Sequence, residues 1–579
     1  MTCTKFKLTT VAALVFAATN ANAALYQVVE VATPSSITGA SETFGVAIQP
    51  ATVTGTESCF TTGTVGSVAC GDFKLAGETR NTLEAVSYRE EVPFAMDAPF
   101  QYIQERDDFE NYCYRELRYS TCESWADNRW YDTWSKERND LTYVNAKAFV
   151  ADGTTTFEIF ESRNTVINSL NEDGKPLGVK SEGNIRNNAM FTTTAGPTGI
   201  SETRAWKAIT ASNGTVYNVG SVSEEFEPTD TSEPDKAFAS KAAIWDASYT
   251  KELDWGNSVS AREDQYFSQG SMRGIAEVNN RFYGVGYNTV NGNGDLRDMN
   301  ANIFVSNEID FTNAVDLSTV TWENKFISGA EVNSGSSNDD ARYSNSVATD
   351  INDNLFAVGY SKRNGYVPES GSAGNKIFVV TDASAATPTA TYLSGGIFFG
   401  GSSGEAKAVN NFNEFVGQID AETTREVDGS ERRHRGFIYP YNVSSSTEAR
   451  RVDIFNGQAW WLDDLTNDGI VSGENNKFRI IDATDINDAG VISATAIKCT
   501  VGGTTQPYDT TSHNSYCGGA ASNAVEEVVA VKLVPIAGAT KADIQTRSAD
   551  SEKVDRQGGS LGWLTLTVLG LLGFRRKFK

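Results

Sequence analysis

The stretch SNSVATDINDNLFAVGYS, residues Ser344–Ser361, contains the pattern that decides the fold. A small apolar residue is followed by a turn rich in Asn and Asp, and then by an alternating strand with a glycine near its end. Asn and Asp tolerate positive φ and hydrogen-bond to their own backbone, so they favour tight turns between antiparallel strands. The stretch therefore predicts a β-hairpin.

The same pattern recurs along the chain, which makes it an internal repeat. The further copies are AWKAITASNGTVYNVGSV from Ala205, MRGIAEVNNRFYGVGYN from Met272, EAKAVNNFNEFVGQID from Glu405, DDLTNDGIVSGEN from Asp463 and IDATDINDAGVISATA from Ile481. The glycines that close the strands are Gly220, Gly286, Gly359, Gly417 and Gly473, at spacings of 66, 73, 58 and 56 residues.

A second apolar element follows most copies. Its members are AAIWD at Ala242, NIFVS at Asn302, KIFVV at Lys376 and RGFIYP at Arg435. Short β-branched and aromatic runs of this kind are typical of buried strands. Each unit therefore holds at least two strands, with room for four. Repeats of four strands predict an all-β fold, a β-propeller of about six or seven blades. Tandem β-sandwich domains are the alternative.

The two ends of the body contain strong strand candidates. LYQVVEV covers Leu25–Val31 and EEVVAVKLVPI covers Glu526–Ile536. If the two strands pair within one blade, the ring closes without an exposed edge. We therefore predict that residues 24–537 form one propeller body.

Six cysteines follow the N-terminal apolar run, and an even number in an exported chain indicates disulfides. They fall into three local couples, which predict the bonds Cys59–Cys70, Cys113–Cys122 and Cys499–Cys517. Each bond would contribute about 2–3 kcal/mol to stability. The chain has no CxxC motif and only two histidines, so a structural zinc site is not expected.

One segment departs from the β pattern. Residues 96–140 are charged, aromatic and poor in glycine, which predicts a helical insertion held by the Cys113–Cys122 bond. Four rings cluster there: Trp125, Trp130, Tyr131 and Trp134. They either pack the insertion onto the body or form a recognition patch, since Trp and Tyr dominate binding hot spots.

The N-terminus has the features of a secretory signal peptide. Lys5 and Lys7 precede the apolar run Val11–Ala18, and Ala21-Asn22-Ala23 is an A-x-A cleavage signal. We predict cleavage by signal peptidase after Ala23, which assigns residues 1–23 to the signal and exports the rest.

The C-terminus combines Gly558-Gly559-Ser560, the apolar run Leu561–Phe574 and a basic end. The apolar run covers roughly 21 Å as a helix, which makes it a short, transient anchor in a membrane core of about 30 Å. The order of elements resembles the GlyGly-CTERM sorting tail of Gram-negative bacteria. That resemblance implies cleavage near Gly558, Gly559 and Ser560 by a rhombosortase-like intramembrane protease. A plain membrane anchor is the alternative. Residues 538–557 would be a flexible linker, and residues 558–579 the tail.

The motif pair INDxxxxVG and xAFxW resembles the HAF repeat of bacterial extracellular proteins. With its tail, the whole chain resembles an uncharacterised family of such proteins. The resemblance implies a membrane-anchored precursor in the inner membrane and a mature form at the cell surface or outside the cell. It implies no activity.

The charge of the chain limits its partners. The formal net charge is −25, and removing the signal (+2) and the basic tail (+4) gives −25 − 2 − 4 = −31. A body this acidic would be repelled by nucleic acid and by anionic lipid. We therefore expect no nucleic-acid partner.

Motifs for chemistry are weak. Gly400–Gly404 matches G-x-S-x-G, but so does Gly558–Gly562 in the tail, and neither has the strand–turn–helix context of a nucleophile elbow. We therefore predict no catalytic residue. Turn carboxylates could hold calcium, although capping of their own turns explains them without an ion. The weak calcium candidates are Asp464, Asp468, Asp485 and Asp488; otherwise no cofactor is expected.

These observations predict an exported cell-surface or secreted repeat protein that acts as a binding module. A glycan-directed hydrolase that uses two carboxylates on a propeller face is the alternative, and a surface-layer component is a third interpretation. Carboxylate pairs that converge at about 5–10 Å would favour the hydrolase.

Overall fold

The structure is a computed structural model. In the part of the chain that it describes, seven β-sheets of three or more strands surround a central axis. The structure describes residues 24–40, 42–53, 57–80, 105–114, 119–136, 140, 142–153, 156–160, 165–181, 188–192, 202–226, 237–256, 259–263, 266–290, 298–331, 346–362, 374–422, 432–442, 448–469, 474–506, 510–511, 517, 523–547 and 550–551.

The strands of each sheet run in antiparallel order from the axis outward and are named a, b, c and d. The strands of sheets 1 to 3 are Glu42–Ile48, Leu75–Arg80, Lys147–Asp152 and Thr156–Phe160; Thr165–Leu170, Pro176–Ser181 and Asn188–Thr192; and Glu202–Thr210, Val216–Phe226, Ala237–Trp245 and Thr250–Glu252. Those of sheets 4 and 5 are Gly270–Val278, Arg281–Val290, Asp298–Ser306 and Trp322–Phe326; and Ser346–Ile351, Ala357–Lys362, Asn375–Val380 and Thr391–Tyr392. Those of sheets 6 and 7 are Gly404–Val409, Glu414–Asp420, His434–Pro440 and Trp460–Trp461; and Phe478–Ile486, Ile492–Val501, Val525–Pro535 and Tyr26–Val31, with Thr504–Gln506 on the b strand of sheet 7.

Each a strand packs against strands of the preceding sheet, and sheet 1 packs against sheet 7, so the ring is closed. Among the described residues, six sheets are blades of four or five strands, and sheet 2 has three. The predicted all-β propeller is confirmed, and a single closed ring replaces the tandem sandwiches.

Sheet 7 closes the ring as predicted. Tyr26–Val31, from the start of the chain, pairs with Val525–Pro535, from its end, in antiparallel register from Tyr26↔Pro535 to Val31↔Ala530. The outer edge of this strand is partly covered, because the Val28 amide donates to Asn475 Oδ1 at 2.9 Å. The apolar side chains at this seam belong to one core cluster with those of sheet 6.

A β-bulge in every a strand explains the glycines of the repeat. The bulged residues of sheets 1 to 7 are Val46, Asn168, Trp206, Arg273, Thr349, Lys407 and Thr484. The bulge brings an a-strand carbonyl against the b strand, where a Cβ would lie 1.8 Å from Arg204 O at Gly220 and 1.9 Å from Glu405 O at Gly417. Glycine is therefore required there by close approach of the backbone.

In the copy that begins at Asp463, the described residues do not form a blade hairpin. Its described residues form the helix Leu462–Leu465 and the short 3₁₀ turn Asn475–Lys477, which connect sheets 6 and 7. Gly473 lies outside the described residues. The next copy, from Ile481, supplies the a and b strands of sheet 7. The pattern of Asn, Asp and Gly therefore also occurs in a connection between two sheets.

The antiparallel order places the connections at two ends of the ring. The end with the a–b and c–d connections is called the turn end, and the end with the b–c and d–a connections is called the loop end. The helical insertion lies in the b–c connection of sheet 1 and therefore belongs to the loop end.

The remaining elements are short. Helices are α1 (Arg106–Tyr112), α2 (Glu123–Asp127) continued by the π-helical segment Asn128–Trp134, α3 (Glu448–Asp453) and α4 (Leu462–Leu465), with further 3₁₀ turns at Cys70–Asp72 and Lys541–Asp543. Two-stranded pairs join Thr64–Val65 to Val68–Ala69, Arg262–Glu263 to Tyr266–Phe267, and Thr510–Thr511 to Asp550–Ser551.

All three predicted disulfides are present: Cys59–Cys70, Cys113–Cys122 and Cys499–Cys517. Their six cysteines are buried. Each bond fixes a local connection rather than joining distant sheets, as the short sequence separations of 11, 9 and 18 residues require.

The segment 538–547, which begins the predicted linker, contacts the body. The Gly538 amide donates to Phe60 O at 2.7 Å, and the Arg547 amide donates to Asp464 Oδ1 at 2.7 Å. Arg547 is buried and also donates to the carbonyl oxygens of Phe478 and Asn476. In the described part of the chain, no helix is long and apolar enough to cross a membrane. The predicted signal peptide, the apolar run Leu561–Phe574 and the predicted processing residues lie outside the described residues.

Candidate binding site at the propeller axis

A chain of asparagine side chains links neighbouring sheets at the turn end. Asn352 Nδ2 donates to Asn410 O at 2.8 Å, and Asn410 Nδ2 donates to Asn487 O at 3.1 Å. Asn487 Nδ2 then donates to Gln49 O at 2.9 Å, which joins sheet 7 to sheet 1. The Oδ1 atom of each asparagine accepts backbone amides of its own turn. One residue type therefore closes the turn and holds the next sheet, which explains why the repeat contains Asn.

An ion pair links sheets 3 and 5 near this rim. Lys207 Nζ of sheet 3 lies 2.5 Å from Asp350 Oδ1 of sheet 5. Sheet 4 lies between these two sheets and has Gly274 next to the pair. A Cβ at this position would lie 2.8 Å from Asp350 Oδ1. Glycine at this point lets the carboxylate enter the axis.

Asp350 and Asp485 occupy equivalent positions in two identical hexapeptides, Ala-Thr-Asp-Ile-Asn-Asp, at residues 348–353 and 483–488. One carboxylate oxygen of each accepts the backbone amide of the next sheet: Val409 N donates to Asp350 and Ile48 N donates to Asp485, both at 3.0 Å. The other oxygen accepts the amide of the following residue. Both carboxylates thus join neighbouring sheets.

The environments of these two carboxylates differ. Burial raises the pKa of Asp485 to about 6, against a smaller opposing effect of Lys207. Burial alone would lower the pKa of Lys207, but Asp350 and Asp485 outweigh it and raise that pKa. The side chain of Lys207 is 31% exposed, because it borders the axis. The ammonium group is therefore held between two carboxylates, one of which it contacts directly.

A second lysine pair lies at the axis between sheets 6 and 7. Lys407 Nζ lies 2.6 Å from Asp482 Oδ2 and 3.8 Å from Glu405 Oε2. Lys407 is the bulged residue of its strand. At this bulge, a charged side chain of the a strand therefore pairs with the next sheet.

The described part of the insertion, residues 105–114 and 119–136, forms an aromatic cap on the loop end. Its buried core contains Phe109, Tyr112, Cys113, Cys122, Trp125, Ala126 and Trp134 together with Val166 and Val179 of sheet 2. The bulged residue Trp206 packs against this core from sheet 3. On the far side, Lys362 Nζ of sheet 5 donates to Tyr112 Oη at 3.0 Å. The cap therefore reaches across sheets 2, 3 and 5.

An arginine lies where the cap meets the axis. The guanidinium carbon of Arg273 lies 3.5 Å from the centroid of the Trp206 ring and 5.3 Å from that of Tyr287. Arg273 is the bulged residue of sheet 4 and is 8% exposed. Both Trp206 and Lys207 are half-buried, so the side chains beside this arginine keep partial contact with solvent. A cation and two aromatic rings thus lie together, next in sequence to the residues of the Lys207–Asp350 contact, and such groups are typical of ligand sites.

The residues proposed as a recognition patch occupy different environments in the cap. Trp125 and Trp134 are buried, Trp130 is half-buried, and Tyr131 is 58% exposed. Among these four rings, Tyr131 offers the largest surface to a ligand. Sequence patterns could not separate them, because all four lie within one aromatic cluster.

The weak calcium candidates are dispersed and accept hydrogen bonds from the protein. Asp464 accepts the Arg547 amide, Asp468 accepts the Asn475 amide and Asn476 Nδ2, and Asp488 accepts both nitrogens of Asn411. Within the described ranges, no group of three or more His, Cys, Asp or Glu side chains could hold a metal ion. Calcium binding stays a prediction.

The G-x-S-x-G match lies in the d–a connection before sheet 6. Ser402 Oγ donates to Phe399 O at 2.8 Å. His434 Nε2 lies 3.1 Å from Asp420 Oδ1, and Arg432 donates to the other oxygen of that carboxylate at 2.8 Å. These contacts bind the ends of strands to one another.

Lys207, Arg273 and Asp350 were not singled out from the sequence. They lie 66 to 143 positions apart and come close only when sheets 3, 4 and 5 pack side by side, since 273 − 207 = 66 and 350 − 207 = 143. The repeated hexapeptide was the available signal, because identical polar residues in two copies indicate equivalent positions in the ring.

The fold and these contacts define a disulfide-bonded β-propeller with a polar axis and an aromatic cap at one end. The model of a family of proteins of unknown function, DUF3466, matches residues 210–577, which is more than half of the chain. The chain therefore belongs to the DUF3466 family. No curated protein matches it. The resemblance to HAF-repeat proteins and to GlyGly-CTERM tails stays a prediction.

Proposed function

We propose that the protein is an exported, non-enzymatic binding module that engages an extracellular ligand at the loop end, where the cap meets the axis. The observation that carries this proposal is the junction itself, which combines Trp206, Arg273 and the Tyr112–Lys362 contact. Concave sites with aromatic walls and a few polar groups are the usual form of ligand sites.

Export is supported by the disulfides. Three disulfides are present, and such bonds persist in oxidising compartments outside the cytoplasm. We further propose that signal peptidase removes residues 1–23 and that a rhombosortase-like protease cuts near Gly558. The intact mass of the protein from its native host tests this. A mass that ends near Gly558 or Gly559 supports sorting, whereas a mass that retains Arg575–Lys579 contradicts it and favours a plain anchor.

The glycan-directed hydrolase is the second candidate, and one observation favours it: Asp485 has a pKa of about 6 beside Asp350 at the axis. Against it, every oxygen of both carboxylates accepts a backbone amide. A general acid or nucleophile needs an oxygen that can reach the substrate. We therefore assign these carboxylates to ring assembly.

The experiment measures binding of the labelled, purified mature protein to surface polysaccharide and envelope fractions of the producing bacterium, together with the release of soluble sugars. We expect saturable binding without product release. Lys362→Met removes the cap contact and should weaken binding several-fold. Lys376→Met is the matched control, because this exposed lysine lies on the neighbouring strand of the same sheet. Absence of saturable binding by the wild type, or steady sugar release, would overturn the proposal.

A further inference from the structure

We propose that Arg273 is the anchor for an anionic group, a carboxylate or phosphate, on the ligand. This inference rests on the proposed function, since it names the ligand chemistry of the same site.

The position of Arg273 is unusual for a charged side chain. It is more than nine-tenths buried, and its guanidinium lies over Trp206 on one side with Tyr287 further away. Such stacking orients the plane of the guanidinium and leaves its N–H edge for hydrogen bonds. In the described part of the molecule, Nε of Arg273 is buried and has no hydrogen-bond partner.

Several other buried arginines of the ring have a carboxylate partner, which Arg273 does not have among the described residues. Their carboxylate partners are Glu414 for Arg450 at 2.6 Å, Asp420 for Arg432 at 2.8 Å, and Asp463 for Arg479 at 2.9 Å. Among the described residues, Arg273 makes no ion pair of this kind. The carboxylate of Asp350 borders the adjacent Gly274, but it pairs with Lys207 and accepts the Val409 amide.

Physical chemistry indicates the missing partner. A buried charge costs free energy unless it is paired and hydrogen-bonded. Guanidinium is never neutral at physiological pH, so it cannot avoid this cost by losing its proton. Its donors match the geometry of two oxygens on one carboxylate or phosphate. An oxyanion from outside the chain would therefore complete the site.

The location also favours a ligand over a structural ion. Trp206, over which the guanidinium lies, and the adjacent Lys207 are both half-buried, so a ligand can approach the guanidinium beside these partly exposed side chains. Trp206 also packs against the cap core, which connects the anchor to the surface proposed for recognition. An acidic sugar or a phosphorylated glycan would present the required group together with a polar ring for the cap.

The test is isothermal titration calorimetry of the full mature protein at low ionic strength with sodium glucuronate, inorganic phosphate and, as the neutral probe, glucose. We expect one anion to bind, which identifies the source of the charge, and glucose to bind more weakly by at least tenfold. Arg273→Gln should lower the anion affinity at least tenfold. Arg273→Lys keeps the charge but loses the bidentate edge, so it should lower the affinity less.

Arg281→Gln is the matched control. Arg281 lies on the same sheet and donates to Ser306 O at 2.8 Å, so its loss removes one positive charge without touching the axis. The proposal is overturned if neither anion binds the wild type at concentrations up to ~50 mM, well into the range of weak binding. It is also overturned if Arg273→Gln binds the anion as the wild type does.

The two proposals can fail separately. If the wild type and Arg273→Gln bind the envelope fraction equally, the binding function stands and the anchor is wrong. If the wild type binds an anion through Arg273 but no envelope fraction, the anchor stands and the proposed function is wrong. The melting temperature of Arg273→Gln should not fall by more than a few degrees, because an unpaired buried charge is itself destabilising.

Discussion

The two ends of the propeller use polar residues in opposite ways. At the turn end, Asn352, Asn410 and Asn487 bond to their own turns and to the next sheet, so their polar groups are used within the protein. Towards the cap, Arg273 of the a strand of sheet 4 is buried without an ion pair to any described residue, and Tyr131 of the cap is largely exposed. The comparison teaches that stability and recognition are separated along the axis. Substitutions at the two ends should therefore differ in what they damage.

The largest effect on stability is expected from Asn410→Ala at the turn end. Asn410 is buried, accepts the amides of Phe412 and Glu414, and donates to Glu414 and Asn487. Its loss leaves several buried groups without partners, which should lower the free energy of unfolding by about 3 kcal/mol. Urea denaturation followed by far-UV circular dichroism measures this.

Asn307→Ala is the control for that substitution. Asn307 makes similar bonds to the Thr321 amide and the Glu308 carbonyl, but it is exposed and its side chain bonds lie within its own sheet. Asn307→Ala should lower the free energy of unfolding by less than about 1 kcal/mol. Equal costs for the two variants would mean that the links between sheets add nothing to stability.

A second, smaller effect is expected at the axis, where identical hexapeptides have different neighbours. Asp350→Asn removes the partner of Lys207 and should lower the free energy of unfolding by about 2 kcal/mol at neutral pH. Asp485→Asn should cost about 1 kcal/mol less, because the charge that it removes is already unfavourable there. Thermal unfolding of both variants side by side checks the difference. A larger cost for Asp485→Asn would show that the amide contact with Ile48, not the lysine, decides the effect.

The sequence predicted the parts of this architecture that depend on local pattern. The hairpins, the disulfides and the pairing of Tyr26–Val31 with Val525–Pro535 all follow from short stretches of residue types. Sheets 1 and 2 were not recognised as repeats. In sheet 1 the disulfide loop separates strands a and b, and the cap separates strands b and c, so the spacing of the repeat is lost.

The candidate site depends on contacts that no local pattern encodes. Lys207 reaches Asp350 only because sheet 4 has a glycine between them, and Arg273 lies over Trp206 only because both a strands are bulged at those residues. A β-bulge turns one side chain towards the axis, and a sequence read as regular alternation places that side chain on the wrong face. The Asn-rich stretch from Asp463 shows the converse error, since its composition resembled a hairpin, whereas its described residues begin with a helix.

A third prediction concerns pH and sharpens the contrast within the axis. The pKa of Asp485 is about 6 in the folded protein and 3.8 for an ordinary aspartate, so the folded state binds a proton more readily. Stability should therefore rise as the pH falls from about 6 towards about 4, by at most about 1.4 kcal/mol per pH unit for one group. Asp464, with a pKa also of about 6, acts in the same direction.

The free energy of unfolding of the wild type and Asp485→Asn at a series of pH values between 4 and 7 checks this. We expect the free energy of unfolding of the variant to depend less steeply on pH than that of the wild type. Asp464 should account for part of the pH dependence that remains. A slope that is unchanged by Asp485→Asn would contradict the assignment of the proton to the axis.

The smallest effect on stability is expected at the cap, where recognition should suffer instead. Tyr131 is 58% exposed, so Tyr131→Ala should change the free energy of unfolding by less than about 0.5 kcal/mol. The affinity of the Tyr131→Ala variant for the envelope fraction should nevertheless fall several-fold, since exposed aromatic rings supply contact area at little cost in conformational entropy. Tyr249→Ala is the matched control, because Tyr249 is 46% exposed but lies in a c–d connection at the turn end. If both variants lose binding alike, the ligand does not distinguish the two ends, and the separation of stability from recognition along the axis is wrong.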